Sequence, residues 1–170
     1  MTDSVNLTSF GIHLKVADIT RSRYFYELLG LVPHFGFGDE DFRTALPPGC
    51  GFSPEVYRGV IYKIGDSAEL EIAEGHVSVK PEVFSERVSS PKCSAMLRVD
   101  SIVPVLATGG VEPIAPVRRY YWGSIELVLR DPDGFVVVVI SPDSPGELDA
   151  VSRFGDVEWV PAPAGDGAAR

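Results

Sequence analysis

The chain has 170 residues, 45% of them hydrophobic and 23% charged, which suffices for one domain with a real core and is too short for two ordinary domains. Its formal net charge of −9 argues against a nucleic-acid surface or an anionic membrane face as a partner. No apolar run approaches membrane-spanning length and no signal peptide is visible at the N-terminus, so we expect a cytoplasmic protein.

The first half of the chain has the pattern of a strand, a helix and then further strands. Hydrophobic residues alternate over residues 10–16, which indicates a strand. Asp18 or Thr20 is placed to cap the following helix, which Gly30 ends. Residues 45–55 contain several Pro and Gly residues and are predicted to form a loop. The remaining elements predicted in this half are a helix over residues 22–29 and a hairpin of strands over residues 59–64 and 69–73.

The second half repeats this order. Val99-Asp100-Ser101 precedes its helix as Val16-Ala17-Asp18 precedes the first, so the pattern indicates a degenerate duplication of one module. Two such modules can close one sheet around a shared groove. The elements predicted here are a strand over residues 95–99, a helix over residues 101–108 and strands over residues 111–114, 124–129 and 135–140.

The pattern weakens after Pro142. We predict a short helix over residues 147–154 and a short strand or packed arm over residues 157–160. The predicted organisation is a single domain over residues 1–142, with modules over about residues 7–75 and 92–142, then a C-terminal extension over residues 143–160 and a disordered tail over residues 161–170.

Three segments, in the expected order, resemble the vicinal oxygen chelate superfamily, which groups glyoxalases, bleomycin-resistance proteins and extradiol dioxygenases. They are HLKVADITRSRYFYELLGL, SAMLRVDSIVPVLATGGVEPI and YWGSIELVLRDPDGFVVVVISP, and the last of them is the most specific. The resemblance implies an α+β fold of two paired βαβββ modules that form a cupped, incomplete barrel. It also implies a homodimer, because members frequently complete the barrel across two chains.

The resemblance further implies a site of four metal ligands, and most of these positions carry no metal donor here. The usual ligand positions fall on Gly11, Glu71, Ser94 and Val138. Glu71 is the usual ligand that remains, and His13, two residues after Gly11 on the same strand face, is a displaced candidate. Catalytic metal sites normally keep about three protein ligands. We therefore expect no metal and no other cofactor, and a protein closest in character to the metal-free bleomycin-resistance-like members.

Without a metal, the groove that the resemblance implies suits an apolar compound. Aromatic residues cluster in two segments that this fold places near the opening, where Arg118 or Arg119 adds a cation–π or an anion contact. Packing in the core or at a dimer interface is the alternative explanation for several of these rings. The predicted ligand-binding residues are His13, Phe35, Phe37, Phe42, Phe52, Glu71, Arg118, Tyr120, Tyr121, Trp122 and Val138.

Three functions remain open. The leading hypothesis is a metal-free protein that sequesters a hydrophobic or aromatic natural product or antibiotic, for resistance or self-protection. The second is a metal-independent isomerase, cyclase or lyase that uses His13 and Glu71 as a catalytic acid-base pair. The third is a metal-dependent lyase or dioxygenase with a rearranged site that contains the same two residues. A structural or interaction role is favoured only if the groove is filled by its own side chains.

Overall fold

The computed structural model describes residues 10–66, 68–75 and 94–162. The chain divides into two compact units, residues 1–91 and 92–170. In the described residues each unit is built on one five-stranded sheet with short helices, so the predicted α+β class is confirmed. None of the described helices is long and apolar enough to cross a membrane. Most of the predicted tail, residues 163–170, lies outside the described residues.

The first unit contains a mixed sheet, called the first sheet below. Its elements are β1 (Phe10–Lys15), α1 (Ile19–Leu28), β2 (Pro33–Gly38), α2 (Glu40–Thr44), β3 (Gly51–Pro54), β4 (Gly59–Ile64) and β5 (Ala68–Ala73). The strands lie in the order β1-β5-β4-β2-β3. The pairs β1–β5 and β2–β3 are parallel, whereas β4 runs antiparallel to both of its neighbours.

The helix α1 begins at one of the two predicted caps and packs on the first sheet. The Asp18 carboxylate accepts hydrogen bonds from the backbone N–H groups of Thr20 and Arg21, which satisfies two donors of the first turn. The buried ring of Tyr26 on α1 lies 6.4 Å from the buried ring of Tyr62 on β4. Burial of these rings anchors the helix to the sheet.

The strands β2 and β3 lie where the sequence analysis predicts no strand. The predicted loop over residues 45–55 is wrong for Gly51–Pro54, which pair in parallel with β2. Gly51 allows the Phe35 ring to pack directly against the β3 backbone, because a Cβ at this position would lie 2.5 Å from that ring. Local composition does not distinguish a glycine that a turn requires from one that a close contact requires.

The second unit contains another mixed sheet, called the second sheet. Its elements are β6 (Ala95–Arg98), α3 (Val103–Ala107), β7 (Val117–Tyr120), β8 (Ser124–Arg130), β9 (Val136–Pro142), α4 (Pro145–Val151), a 3₁₀ turn (Ser152–Phe154) and β10 (Val157–Val160). The strands lie in the order β6-β9-β8-β7-β10. The pairs β6–β9 and β7–β10 are parallel, whereas β8 runs antiparallel to both of its neighbours.

The strand that follows α3 lies later in the chain than predicted. Residues 111–114 form no strand, and the strand is instead β7, which begins at Val117. Pro113 and Pro116 have no backbone N–H, so the segment that contains them cannot supply a complete set of ladder hydrogen bonds. The predicted helix over residues 101–108 is present in shorter form as α3, with a proline in its first turn.

The segment after Pro142 contributes to both the sheet and the core of the second unit. The predicted helix over residues 147–154 is confirmed as α4 and the 3₁₀ turn, and the predicted strand over residues 157–160 is confirmed as β10. β10 pairs in parallel with β7 along its whole length. Val151 on α4 is only 1% exposed, so this helix covers part of the apolar core.

In each unit a carboxylate from elsewhere in the chain binds the start of the first helix. In the first unit Glu74 Oε1 accepts a hydrogen bond from the Ile19 N–H at 3.1 Å, and the Glu74 carboxylate also binds Arg58 at 2.8 and 2.7 Å. In the second unit Glu147 Oε1 accepts hydrogen bonds from the Ile102 N–H at 2.8 Å and from the Ser141 hydroxyl at 2.9 Å. Both contacts satisfy a helix donor that has no partner within its helix.

The second sheet buries one face and leaves the other more open. Leu127, Leu129, Val137 and Val139 are 0% exposed. Residues between them, such as Glu126 and Val138, point to the opposite face and are half-buried. Candidate ligand-binding residues of the second unit lie on this second face.

Candidate functional site

Two neighbouring strands of the first sheet bring together the predicted acid-base residues. The parallel register of β1 and β5 sets His13 directly beside Glu71. His13 Nε2 lies 3.1 Å from Glu71 Oε1, and the two side chains are 30% and 29% exposed. Leu70 and Ile72, which flank Glu71 on β5, point to the opposite face and are buried. The pair therefore lies on the polar face of the first sheet and remains accessible to solvent.

Lys15 and Tyr57 lie close to this pair and were not identified from the sequence. Lys15 Nζ donates a hydrogen bond to the Gly75 carbonyl and lies 5.9 Å from the centre of the Tyr57 ring. Burial lowers the pKa of Lys15, and the charge of Glu71 opposes this shift. Burial also raises the pKa of Tyr57, with smaller effects from nearby carboxylates. The available sequence signal is the spacing of Lys15, two residues after His13 and hence on the same strand face.

The residues at the metal-ligand positions that the resemblance implies do not form a site for a divalent ion. Gly11 has no side chain, and Val138 has no donor atom and lies between Met96 and Val128 in the second sheet. Across residues 10–66, 68–75 and 94–162 no three His, Cys, Asp or Glu side chains are close enough to hold a metal. The His13–Glu71 pair offers two ligands, fewer than a catalytic metal normally requires.

The four candidate phenylalanines of the first unit are mostly packing residues. Phe37 and Phe42 are 7% and 5% exposed and present almost no surface to a ligand, so their predicted binding role does not fit their burial. Phe35 is half-buried, with its ring against Gly51. Phe52 is also half-buried, and the Arg43 guanidinium lies 5.7 Å from the centre of its ring. We therefore place no part of the candidate binding surface on these rings.

The three aromatic candidates of the second unit contact one another, and Tyr121 and Trp122 are exposed while Tyr120 is half-buried. The rings of Tyr120 and Trp122 are stacked, with their centres 4.2 Å apart and an interplanar angle of 14°. Tyr121 contacts the edge of Trp122 with a centre separation of 5.0 Å. Trp122 is 57% exposed and Tyr121 is 48% exposed. These three rings form a surface on which a flat compound could stack.

A cavity of about 720 Å³ lies beside Trp122, and all its lining residues belong to the second unit. We call it the Trp122 depression and define it by Met96, Arg98, Trp122, Ser124, Glu126 and Ile140. The Trp122 indole N–H donates to Ser124 Oγ at 2.7 Å, and the Ser124 hydroxyl donates to Glu126 Oε1 at 2.8 Å. These bonds hold the indole plane at the edge of the depression.

Ser124 and Glu126 were also missed from the sequence. The available signal is the alternation along β8, in which both residues lie on the face opposite the buried Ile125 and Leu127. The predicted residue Val138 lies on the same face, beside the 61% exposed Met96.

The two arginines predicted to contact a ligand are held by acidic residues of the C-terminal segment. Arg118 Nε lies 2.9 Å from Glu158 Oε2, and this hydrogen bond is the main reason that the pKa of Arg118 is raised. Arg119 Nε lies 2.7 Å from Asp143 Oδ2, and its guanidinium lies 5.1 Å from the centre of the Trp159 ring. Neither guanidinium is therefore placed to bind an anion without first losing a partner.

No protein-family model and no curated protein sequence matches the chain. Solved structures do share its fold. A glyoxalase family protein from Bacillus cereus superposes with a TM-score of 0.56 and 15% identity, over 85% of this chain and 99% of that chain. A protein of unknown function from Agrobacterium tumefaciens superposes with a TM-score of 0.50 and 23% identity, over 82% of this chain and 95% of that chain.

These likenesses confirm the fold that the resemblance to the vicinal oxygen chelate superfamily implies. The chain has the fold of glyoxalase family proteins. At these identities a shared fold carries no activity, ligand or cofactor with it. The function has to be argued from the side chains.

Proposed function

We propose that this protein is a metal-free small-molecule binding protein that holds a hydrophobic or aromatic compound in the Trp122 depression. The natural ligand would be a natural product or antibiotic, which the protein sequesters for resistance or self-protection. The observation that carries the proposal is the 57% exposed ring of Trp122, stacked on the half-buried Tyr120, at the edge of a cavity large enough for such a compound. The predicted homodimer and the cytoplasmic location stay predictions.

A fixed, exposed indole ring favours binding of another flat ring. The Trp122 indole cannot rotate freely without breaking its hydrogen bond to Ser124, so little side-chain entropy is lost when a ring stacks on it. Met96 and Ile140 add apolar surface to the same depression. Removing this surface from water stabilises a bound aromatic compound by about 25 cal/mol per Å² buried.

Isothermal titration calorimetry with 9-anthracenemethanol, a flat and neutral tricyclic probe, tests the proposal. The chain contains two tryptophans, and Trp159 is 51% exposed outside the depression, so Trp159→Phe is a matched control for Trp122→Ala. We expect saturable binding of one probe per chain that survives Trp159→Phe. Trp122→Ala should weaken binding about fivefold, because one aromatic contact contributes about 1 kcal/mol. Absence of saturable binding to the unmodified protein would overturn the proposal.

A metal-independent acid-base enzyme is the second candidate function. The observation that favours it is the 3.1 Å contact between His13 and Glu71 on an accessible sheet face, with Lys15 nearby. Proton transfer at carbon would introduce deuterium from D₂O into the compound, whereas sequestration returns the compound at its original mass. Mass spectrometry of a bound compound after incubation in D₂O distinguishes these outcomes. Glu71→Gln should abolish any exchange if this candidate is correct.

The metal content of the purified protein tests the argument that too few side chains are available to bind a metal. Protein purified without chelator should contain no stoichiometric metal by elemental analysis, before or after incubation with nickel, iron, manganese or zinc. Metal that survives dialysis and is lost in Glu71→Ala would contradict the argument from Gly11 and Val138.

A further inference from the structure

We propose that the Trp122 depression selects organic cations, and that an ammonium or similar group of the ligand pairs with Glu126. This inference rests on the proposed function, because it names the chemical class of ligand for the same site. It reverses the sequence-based expectation of an anion contact through Arg118 or Arg119.

The Glu126 carboxylate is held in place on the open face of the second sheet. Its Oε1 atom accepts a hydrogen bond from the Ser124 hydroxyl at 2.8 Å and a longer one from the Trp122 indole N–H at 3.4 Å. Ser124 is itself only 7% exposed, so the group that orients the carboxylate is buried. Both donors are neutral and leave the negative charge of Glu126 in the depression.

No arginine or lysine among the described residues forms a salt bridge with Glu126. Arg118 lies directly across from Glu126 in the register of β7 and β8 and would be its natural partner. The Arg118 guanidinium is instead bound to Glu158 on β10. The C-terminal strand thus keeps the Glu126 carboxylate available for a cation from outside the protein.

The other charged groups at the depression leave it negative. Asp100 and Glu126 contribute two carboxylates, and Arg98 contributes one guanidinium, so the formal sum is one negative charge. Arg98 lies across from Ile140, which in turn lies across from Glu126, so a whole strand separates the two charges. Backbones two strands apart are about 10 Å from each other, and no salt bridge joins Arg98 to Glu126.

The Trp122 ring, which lines the depression and is 57% exposed, favours the same charge. The face of an indole ring carries negative electrostatic potential and attracts a cation within about 6 Å. A carboxylate next to an exposed aromatic ring is therefore a recognition site for a cation with an apolar body. The net charge of −9 on the chain further raises the local concentration of cations.

Three anthracene probes of matched shape test the inference in the full-length protein. They are 9-(aminomethyl)anthracene, a cation, 9-anthracenemethanol, which is neutral, and anthracene-9-carboxylate, an anion. We expect the cation to bind about tenfold more tightly than the neutral probe at low salt, and the anion to bind most weakly. The preference for the cation should shrink as salt is added.

Three variants test which charged group makes the depression prefer a cation. Glu126→Gln should reduce the affinity for the cation to that of the neutral probe, whereas Glu112→Gln, an exposed carboxylate of the same unit outside the depression, should preserve the preference. Glu158→Gln should also weaken cation binding, because it releases Arg118 to pair with Glu126. Circular dichroism of each variant verifies that it is folded.

The outcomes separate the inference from the proposed function. Equal affinity for the cation and the neutral probe would overturn the inference and leave the binding function standing. An equal loss of preference in Glu112→Gln and Glu126→Gln would also overturn it, since net charge alone would then explain the selectivity. Absence of binding by all three probes would overturn the proposed function and the inference together.

Discussion

The two sheets have the same strand order and the same pairing directions, but they carry opposite chemistry at matching positions. The Val16 N–H binds the Ala73 carbonyl at 3.0 Å, and the Val99 N–H binds the Ile140 carbonyl at 2.9 Å. His13 lies three residues before Val16, as Met96 lies three before Val99, and Glu71 and Val138 each lie two residues before the matched carbonyl. The His13–Glu71 pair of the first sheet therefore corresponds to Met96 beside Val138 in the second. One sheet keeps a polar pair where the other has two apolar side chains.

A second matched position explains why only one sheet carries the depression. Gly59 lies across from Ala73, as Glu126 lies across from Ile140. A Cβ at Gly59 would lie 2.3 Å from the Phe37 ring, so this ring covers the strand in the first sheet. The second sheet has the Glu126 carboxylate at the same place. A duplicated fold can therefore cover a position of the central strand with a ring in one copy and leave the matching position open in the other, by changing a few side chains.

The C-terminal segment is the largest difference between the two units. The outer strand β3 of the first unit lies between β2 and β4 in the chain, whereas the matching strand β10 comes after β9 and α4. The carboxylate that binds the first helix likewise comes from just after β5 in the first unit and from α4 in the second. The second unit therefore obtains its outer strand and its helix-binding carboxylate from residues that follow β9.

Deletion of residues 143–170 should have the largest effect. It removes β10, the buried Val151 and the Glu147 contact at once, and we expect a loss comparable with the whole stability of a small domain, about 5 kcal/mol or more. Urea unfolding monitored by circular dichroism would measure the loss. A chain that ends at residue 162 retains every described residue and is the control. If the chain that lacks residues 143–170 unfolds cooperatively at the same urea midpoint as the full-length protein, the second unit does not depend on these residues for its stability.

Gly59→Ala and Glu126→Ala compare the matched positions directly. We expect Gly59→Ala to lower the free energy of unfolding by about 1–3 kcal/mol, because the new Cβ would overlap the Phe37 ring and lie 2.9 Å from the Ile72 carbonyl oxygen. Glu126→Ala on the open face should change stability by less than about 1 kcal/mol. Equal losses in the two variants, measured by urea titration, would refute the contrast between a covered position at Gly59 and an open one at Glu126.

Glu74→Ala and Glu147→Ala compare the two helix contacts. Each should cost about 1–2 kcal/mol, because a backbone N–H at the helix start loses its partner. Glu74→Ala also removes the two hydrogen bonds that raise the pKa of the partly exposed Arg58. Glu147→Ala also removes the partner of the Ser141 hydroxyl, which is 0% exposed, and should cost more because a buried hydroxyl without a partner is the larger penalty. Thermal unfolding of both variants measures the two losses, and a larger loss in Glu74→Ala would be the contrary result.

The smallest effect concerns the protonation of Lys15 on the polar face of the first sheet. Burial lowers its pKa, so folding is penalised while Lys15 is charged, and the penalty disappears as the pH rises through the lowered pKa toward the ordinary value of 10.5. Glu71→Gln should lower the pKa further, because the Glu71 charge acts in the opposite direction. NMR titration of ¹³C-methylated lysines measures both shifts. A Lys15 pKa equal to that in the urea-unfolded chain would disprove the burial effect.

Strong periodic patterns in the sequence predicted the central elements of both units. Apolar patterns predicted the strands over residues 10–16, 59–64, 69–73, 124–129 and 135–140, the last as an unbroken apolar run, and the carboxylate of Asp18 is the cap of α1. The neighbouring strands β2 and β3 were missed because their glycines allow close ring contacts that no local pattern reveals. The contact of His13 with Glu71 was suggested by resemblance, but its 3.1 Å distance follows from the parallel register of two strands far apart in sequence.

By itself the sequence determined the repeated module and the lack of a donor atom at Gly11 and Val138, because these depend on residue type and local spacing. The resemblance implied the α+β class and marked these two positions as ligand positions of metal-binding members. Only the tertiary structure decided which aromatic rings are available to a ligand. Phe37 and Trp122 are equally aromatic in the sequence, yet one covers a glycine in the core and the other stands 57% exposed. Tertiary pairing likewise bound Arg118 to Glu158 and left Glu126 to face the depression, since cross-strand neighbours are set by register and not by order along the chain.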